Sequence, residues 1–157
     1  MKTRKELGNI LEEERRSGKI VVFTNGCFDI LHPGHLYLLQ EAKARGDILI
    51  VGINSDASLQ RLKGKERPVF PQDERAEILA SLEMVDYVTI FEEDTPYNII
   101  SELKPHVLVK GGDWKKEEVI GGDLVESWGG EVVIIPYKKG YSTSGILDKI
   151  KGVNSSE

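Results

Sequence analysis

The chain has a single cysteine, Cys27, so it can close no disulfide within itself, and a reducing compartment suits it. It has no block of lysine and arginine, and its formal net charge is −5. Non-sequence-specific nucleic-acid binding needs a cationic surface and is excluded on that ground. A small anionic ligand is not excluded, because a local basic cluster can oppose the global sign. No apolar run is long enough to cross a bilayer, and the opening "MKTRKELGNILEEERRSG" is too charged for a signal peptide. A cytoplasmic protein with no membrane span is expected. Neither G-x-x-x-x-G-K-[ST] nor G-x-G-x-x-G occurs, which disfavours P-loop and dinucleotide oxidoreductase chemistry.

What is present reads as one α/β domain spanning 1–157, with its core at about 20–150, a leading helix at 3–17 and a frayed tail at 152–157. "TRKE" at 3–6 forms a capping box, Leu7, Ile10 and Leu11 make one apolar stripe, and Gly18 stops the helix. Short, continuous apolar runs follow at "KIVVFT", "DILIVGI", "VDYVTIF", "PHVLVKGG" and "GEVVIIP". Each suits a strand covered on both faces. Between them lie helical stretches. One runs from Pro33 to Arg45, a short one follows Ser55, and one runs from Pro71 to Leu82 with Ile78, Leu79 and Leu82 on one side. Another opens on Thr95 as N-cap with Pro96 first in the helix, and one lies near 122–128. "STSGILDKI" forms a final helix. Strands alternating with helices predict a Rossmann-like three-layer αβα fold around a five-stranded parallel sheet. Ligands of such sheets bind beyond the carboxyl ends of the strands, where strand order reverses. The loops to read are therefore 24–35, 54–67, 91–96, 110–122 and 136–144.

Histidine is scarce, with three in the chain, yet His32 and His35 fall together in "TNGCFDILHPGH". Pro33 and Gly34 start a helix there, so free N–H groups and the positive dipole end face the loop. A phosphate chain would be stabilised at that mouth, and Gly34 has no side chain to hold it away. At i and i+3 the two imidazoles can share a face and each offer an N–H to a developing charge. The alternatives are helix-cap histidines without chemistry, and a zinc site that lacks a third ligand nearby.

The second loop carries Lys63, Lys65 and Arg67, with Arg75 one turn into the next helix. Clustered cations suit a triphosphate, and a solvated charged loop is the other reading. In "VKGGDW", Gly111 and Gly112 can form an anion-binding nest or admit a ligand close to the backbone. Trp114 can stack on a ring or cap the core. "YSTS" is a second phosphate-binding helix start or an ordinary N-cap. Cys27 is a reactive thiol or a small residue whose backbone matters. One arrangement uses all of these loops: a nucleoside triphosphate lies across the switch point, and an acceptor phosphate attacks its α-phosphorus in line while pyrophosphate departs. Positioning and charge stabilisation suffice, with no covalent intermediate.

"GCFDILHPGH" resembles the HxGH signature of the nucleotidylyltransferase superfamily, and the S/T-rich "STS" after "KKGY" is similar to its second signature. Together with "VGINSDASLQRLKGKERPV", "FEEDTP", "LVKGGDW" and "GYSTSGILDKI", these stretches resemble the heptose 1-phosphate adenylyltransferases over roughly Ile20 to Ile150. In many bacteria that activity is one half of a bifunctional protein whose other half is a sugar kinase, so this chain reads as a stand-alone form. The resemblance implies transfer of AMP from ATP to D-glycero-β-D-manno-heptose 1-phosphate, giving ADP-heptose for the lipopolysaccharide core, with Mg2+ and with homodimerisation. It implies that His32 and His35 stabilise the reacting phosphates and that Lys63 holds the triphosphate, helped by Lys65. Cys27 and Phe28 would supply backbone contacts near the nucleotide. Ser142, Thr143 and Ser144 would cradle the β,γ-phosphates, and Arg75 matches a family position. Lys110, Gly111 and Asp113 would lie near the base or ribose.

The glycerol-phosphate cytidylyltransferase branch carries an arginine shortly before its S/T signature. Here Tyr137 stands at that place, with Lys138 and Lys139 after it, and "KGGDW" replaces "GDDW". Both departures favour the heptose reading over a cytidylyl one. Glycerol 3-phosphate with CTP is the sister alternative. A nucleotide-binding sensor without turnover is the alternative of another class.

Overall fold

The computed structural model describes residues 1–137 and 140–155, the last few side chains excepted, so Lys138 and Lys139 lie outside the described residues. Five strands form one parallel sheet: β1 Val21–Gly26, β2 Ile48–Asn54, β3 Tyr87–Phe91, β4 Val107–Gly111 and β5 Glu131–Ile135. Their order is β3-β2-β1-β4-β5. The chain therefore builds outward from β1 to β3, then crosses back to place β4 on the other side of β1. That reversal opens a crevice beyond the carboxyl ends of β1 and β4.

Alternate strand residues feed two cores. Val22, Leu49, Val51, Ile53, Val107, Val109, Val133 and Ile135 face α2 (Pro33–Lys43) and α4 (Gln72–Ala80), where Leu39, Ala42, Ala76 and Leu79 meet them. Val21, Phe23, Ile48, Ile50, Leu108 and Val132 face the other way. They meet Leu7 and Leu11 of α1 (Arg4–Arg16), Ile99, Ile100 and Leu103 of α5 (Tyr97–Leu103), and Val125 of α6 (Gly122–Ser127). Burial on both faces is why these strands read as unbroken apolar runs. The capping box on α1 is present, with Thr3 Oγ1 accepting from the N–H of Glu6 at 3.2 Å. The remaining helices are α3 (Asp56–Lys63), capped by Ser55, and α7 (Thr143–Ser155), with one 3-10 turn at Lys116–Glu118.

Several boundaries differ from the sequence reading. Ile78 is 40% exposed, and the inward face of α4 is instead Arg75, Ala76 and Leu79. Helix α5 begins one residue late, with Pro96 at the cap position and no side-chain cap bond, so Thr95 is left to the loop. The tail expected to fray from 152 continues α7 to Ser155. Among the described residues, no helix is long and apolar enough to cross a membrane.

Candidate active site

A cleft of about 710 Å3 opens at the switch point. It is built from the five segments that follow the strands. The first leaves β1 through Gly26, where an added Cβ would stand 2.9 Å from the Phe28 ring. Phe28 takes a left-handed backbone, φ 47°, costly for a residue with a side chain, and this turns its ring under His35 at 5.1 Å. His32 caps α2. Its Nδ1 accepts from the N–H of Gly34 at 3.2 Å, and Nδ1 of His35 accepts from the N–H of His32 at 3.3 Å. Each ring thus satisfies a donor at the mouth that a Ser–Glu box would ordinarily serve. Acceptance at Nδ1 leaves the proton of each neutral ring on Nε2.

The two rings stack with centroids 3.8 Å apart. Burial, and then the neighbouring His32, push His35 down to about 4, while the Ile30 carbonyl pulls the other way. Burial lowers His32 too. The pair is therefore neutral near pH 7, two N–H donors rather than two charges.

The basic loop forms the second wall. Lys63 closes α3 and lines the cleft, while Lys65 is exposed and lies outside the lining. Arg67, also in the lining, is held by Asp29, which is 2% exposed and bonds Arg67 Nε at 2.7 Å. The same carboxylate accepts from the N–H groups of Val69 at 2.9 Å and Phe70 at 3.0 Å. Burial opposes its charge, but those two N–H groups and the guanidinium outweigh it and hold the carboxyl below its ordinary range.

Arg75 does not reach the cleft. It is 1% exposed, and its guanidinium donates to the carbonyls of Cys27 at 2.7 Å and Phe70 at 3.0 Å and to Asp56 at 2.9 Å. It fastens the histidine loop to the basic loop from beneath. Cys27 lines the cleft, with its thiol 3.7 Å from Asn54 Oδ1 and pushed up by burial, so it is no activated thiolate. Its carbonyl, gripped by Arg75, is the part with a visible task.

At the end of β4, Lys110 and Gly111 line the cleft and Asp113 does not. The ammonium of Lys110 sits 4.9 Å over the Trp114 ring, and burial lowers its pKa. The Gly111–Gly112 doublet serves packing more than anion binding. The Gly112 N–H is taken by the Ile135 carbonyl at 2.9 Å, and the missing Cβ atoms make room for Leu38 at 3.2 Å and the Tyr137 ring at 2.7 Å.

Opposite the histidines, Ser142, Thr143 and Ser144 line the cleft at the mouth of α7. Ser142 Oγ accepts from the Gly145 N–H at 2.9 Å, so it is a cap, and Thr143 donates to the Ile30 carbonyl at 3.4 Å. Two helix mouths and a lysine loop thus converge on one space. Asn25, Asn54, Asp94 and Thr95 also line it, and the sequence assigned none of them to the site. Their only signal was position after a strand. Among the described residues, no group of three or more His, Cys, Asp and Glu could hold a metal ion, which leaves the zinc alternative without a ligand set.

Residues 23–146 match a family model described as cytidylyltransferase-like. The chain is 54% identical over 150 residues to the bifunctional protein HldE of Trichlorobacter lovleyi, covering 96% of this chain and 30% of that one. It is 56% identical over 144 residues to the bifunctional protein HldE of Geobacter metallireducens, covering 92% and 29%. The chain thus spans less than a third of the length of these relatives. Among solved structures it is similar to a lipopolysaccharide core biosynthesis protein from Thermoplasma volcanium, at 34% identity and a TM-score of 0.64, covering 80% of this chain and 100% of that one. A pantoate–β-alanine ligase from Francisella tularensis shares the fold alone, at 16% identity and a TM-score of 0.64, covering 88% and 67%.

Proposed function

Because the chain belongs to the cytidylyltransferase-like family, we propose that it transfers AMP from ATP to D-glycero-β-D-manno-heptose 1-phosphate. The products are ADP-heptose and pyrophosphate. The observation that carries the reading is the convergence of the paired neutral histidines, Lys63 and the serine mouth of α7 on one cleft. The choice of acceptor is supported by identity above 50% to HldE proteins across nearly the whole chain, and by likeness to a lipopolysaccharide core biosynthesis protein.

In this mechanism an oxygen of the acceptor phosphate attacks the α-phosphorus of ATP. The bond from that phosphorus to the oxygen bridging to the β-phosphate breaks, and pyrophosphate leaves with the electron pair. Nε2–H of His32 and His35 donate to oxygens whose charge grows in the transition state. Lys63 and the N–H groups at the start of α7 hold the triphosphate, with Lys65 reaching in from the surface. The backbone of Cys27 and Phe28 holds the nucleotide at the end of β1, and Lys110 and Gly111 flank the base and ribose, with Asp113 approaching from outside the cleft lining. Mg2+ arrives on the triphosphate in this proposal. Phosphate and water oxygens would supply most of its ligands. Homodimerisation in a reducing cytoplasm completes the reading, and sedimentation velocity tests the pairing.

The experiment is a matrix of ATP or CTP against heptose 1-phosphate or glycerol 3-phosphate, followed by pyrophosphate release. Turnover with ATP and the heptose alone is the expected result. Preference for CTP and glycerol 3-phosphate would move the protein to the sister chemistry, and binding without release in every pair would make it a sensor.

A further inference from the structure

The His32 ring has two aromatic neighbours. His35 covers one face at 3.8 Å, and Tyr141 lies 6.1 Å away with its plane tilted by 15°. His35 is itself backed by Phe28. Rings from the loop after β1, from the mouth of α2 and from the approach to α7 thus stand in one file. Tyr141 is also packed hard against that mouth, since a Cβ on Gly34 would stand 3.2 Å from the Cβ of Tyr141.

Little else fixes this part of α7. No residue from Gly140 to Gly152 is fully buried, and its apolar residues Ile146 and Leu147 are only half-buried. Its ties to the rest of the fold include the Thr143 bond to Ile30 and a solvent-exposed pair, Lys151 and Glu66, 3.7 Å apart. An exposed pair of that kind contributes little. Among the described residues, His32 is held at Nδ1 by the Gly34 N–H, and one hydrogen bond leaves a ring free to pivot.

We propose that Tyr141 is a positioning residue: its ring holds His32 against His35 and sets the serine mouth of α7 opposite the histidine pair. This rests on the phosphate-binding reading above. Ring packing, not the phenol hydroxyl, is what does it. Tyr141 then contributes without touching the reacting atoms, by fixing the distance between the two segments that grip the nucleotide.

The test compares Tyr141→Ala with Tyr141→Phe. Tyr141 is 42% exposed, so neither variant empties a core, and thermal melting checks that both fold. The readout independent of turnover is the NMR resonance of His32 Cε1–H, which feels the ring currents of its neighbours. Tyr141→Ala moves that resonance toward the free-imidazole position and weakens ATP binding by about tenfold. Tyr141→Phe leaves the resonance in place and restores binding and kcat to within about twofold of the unmodified protein. An unmoved resonance with unchanged ATP binding in Tyr141→Ala overturns the proposal. Equal damage in both variants also overturns it, because the hydroxyl would then be the active part. Should the unmodified protein release no pyrophosphate with any acceptor, the proposed reaction fails, while resonance and ATP titration still decide the role of Tyr141.

Discussion

The backbone N–H of His32 donates to Nδ1 of His35, and the two imidazole rings stack with centroids 3.8 Å apart. The pair therefore caps its own helix. One set of contacts closes the mouth of α2 and fixes the tautomer of both rings, while burial keeps them uncharged. Structure and chemistry are not separable at these residues, which frames what substitution there should do.

Replacing His35 with alanine should lower turnover by roughly two orders of magnitude, the usual cost of one donor to a developing oxyanion. Far-UV circular dichroism should show the fold retained. Steady-state rates equal to those of the unmodified protein would remove the histidine from the mechanism.

Stability should fall as the solution is acidified. His35 has a folded pKa of about 4 against an ordinary 6.5, so between those values the unfolded chain binds more protons than the folded one. The neutral ring costs nothing above the ordinary imidazole range, and stability is lost as pH falls from there toward about 4. His32 and His106, also lowered by burial, act in the same direction. Melting of the unmodified protein and of His35→Gln, compared at about pH 7.5 and about pH 4.5, isolates the contribution. The variant should lose less on acidification.

Lys63→Ala should raise the apparent KM for ATP by roughly tenfold or more, the range for losing a hydrogen bond to a charged group. Acceptor KM should change far less. Initial rates over a grid of both substrates give the two constants, and the reverse split would reassign the lysine to the acceptor.

Arg75→Met should destabilise the fold by roughly 2 kcal/mol, because two loop carbonyls and the half-exposed Asp56 lose a buried donor. Urea unfolding with an unchanged m-value would register it. Arg75→Lys should restore little, since one ammonium cannot serve three acceptors spread around a planar fork.

Much of this architecture is written in local sequence. The Thr3–Glu6 box, the five apolar runs and the Pro33–Gly34 helix start are short-range patterns, and each element formed close to where its pattern lies. The site was legible wherever its groups sit in one motif, as with His32 and His35 or Ser142 to Ser144. Arg75 was not, because its partners include a carbonyl 48 residues away and nothing local distinguishes a buried arginine from a solvated one. The same distance hid Asp29, whose bonds to Arg67, Val69 and Phe70 exist only once two loops meet. The apolar spacing points Ile78 inward, whereas buried Arg75, with its ion pair and carbonyl bonds, claims the inward position. Tyr141 could not be weighed beside His32 before the final helix folded back over the first loop.

Among the described residues, all five strands and every fully buried residue precede Pro136, whereas Tyr141 and the hydroxyls of Ser142, Thr143 and Ser144 follow it. The scaffold and its last cleft wall are thus encoded in sequence, one after the other. A polypeptide emerging from synthesis can complete its sheet before it owns a finished cleft, and a cut between the two would separate folding from ligand capture.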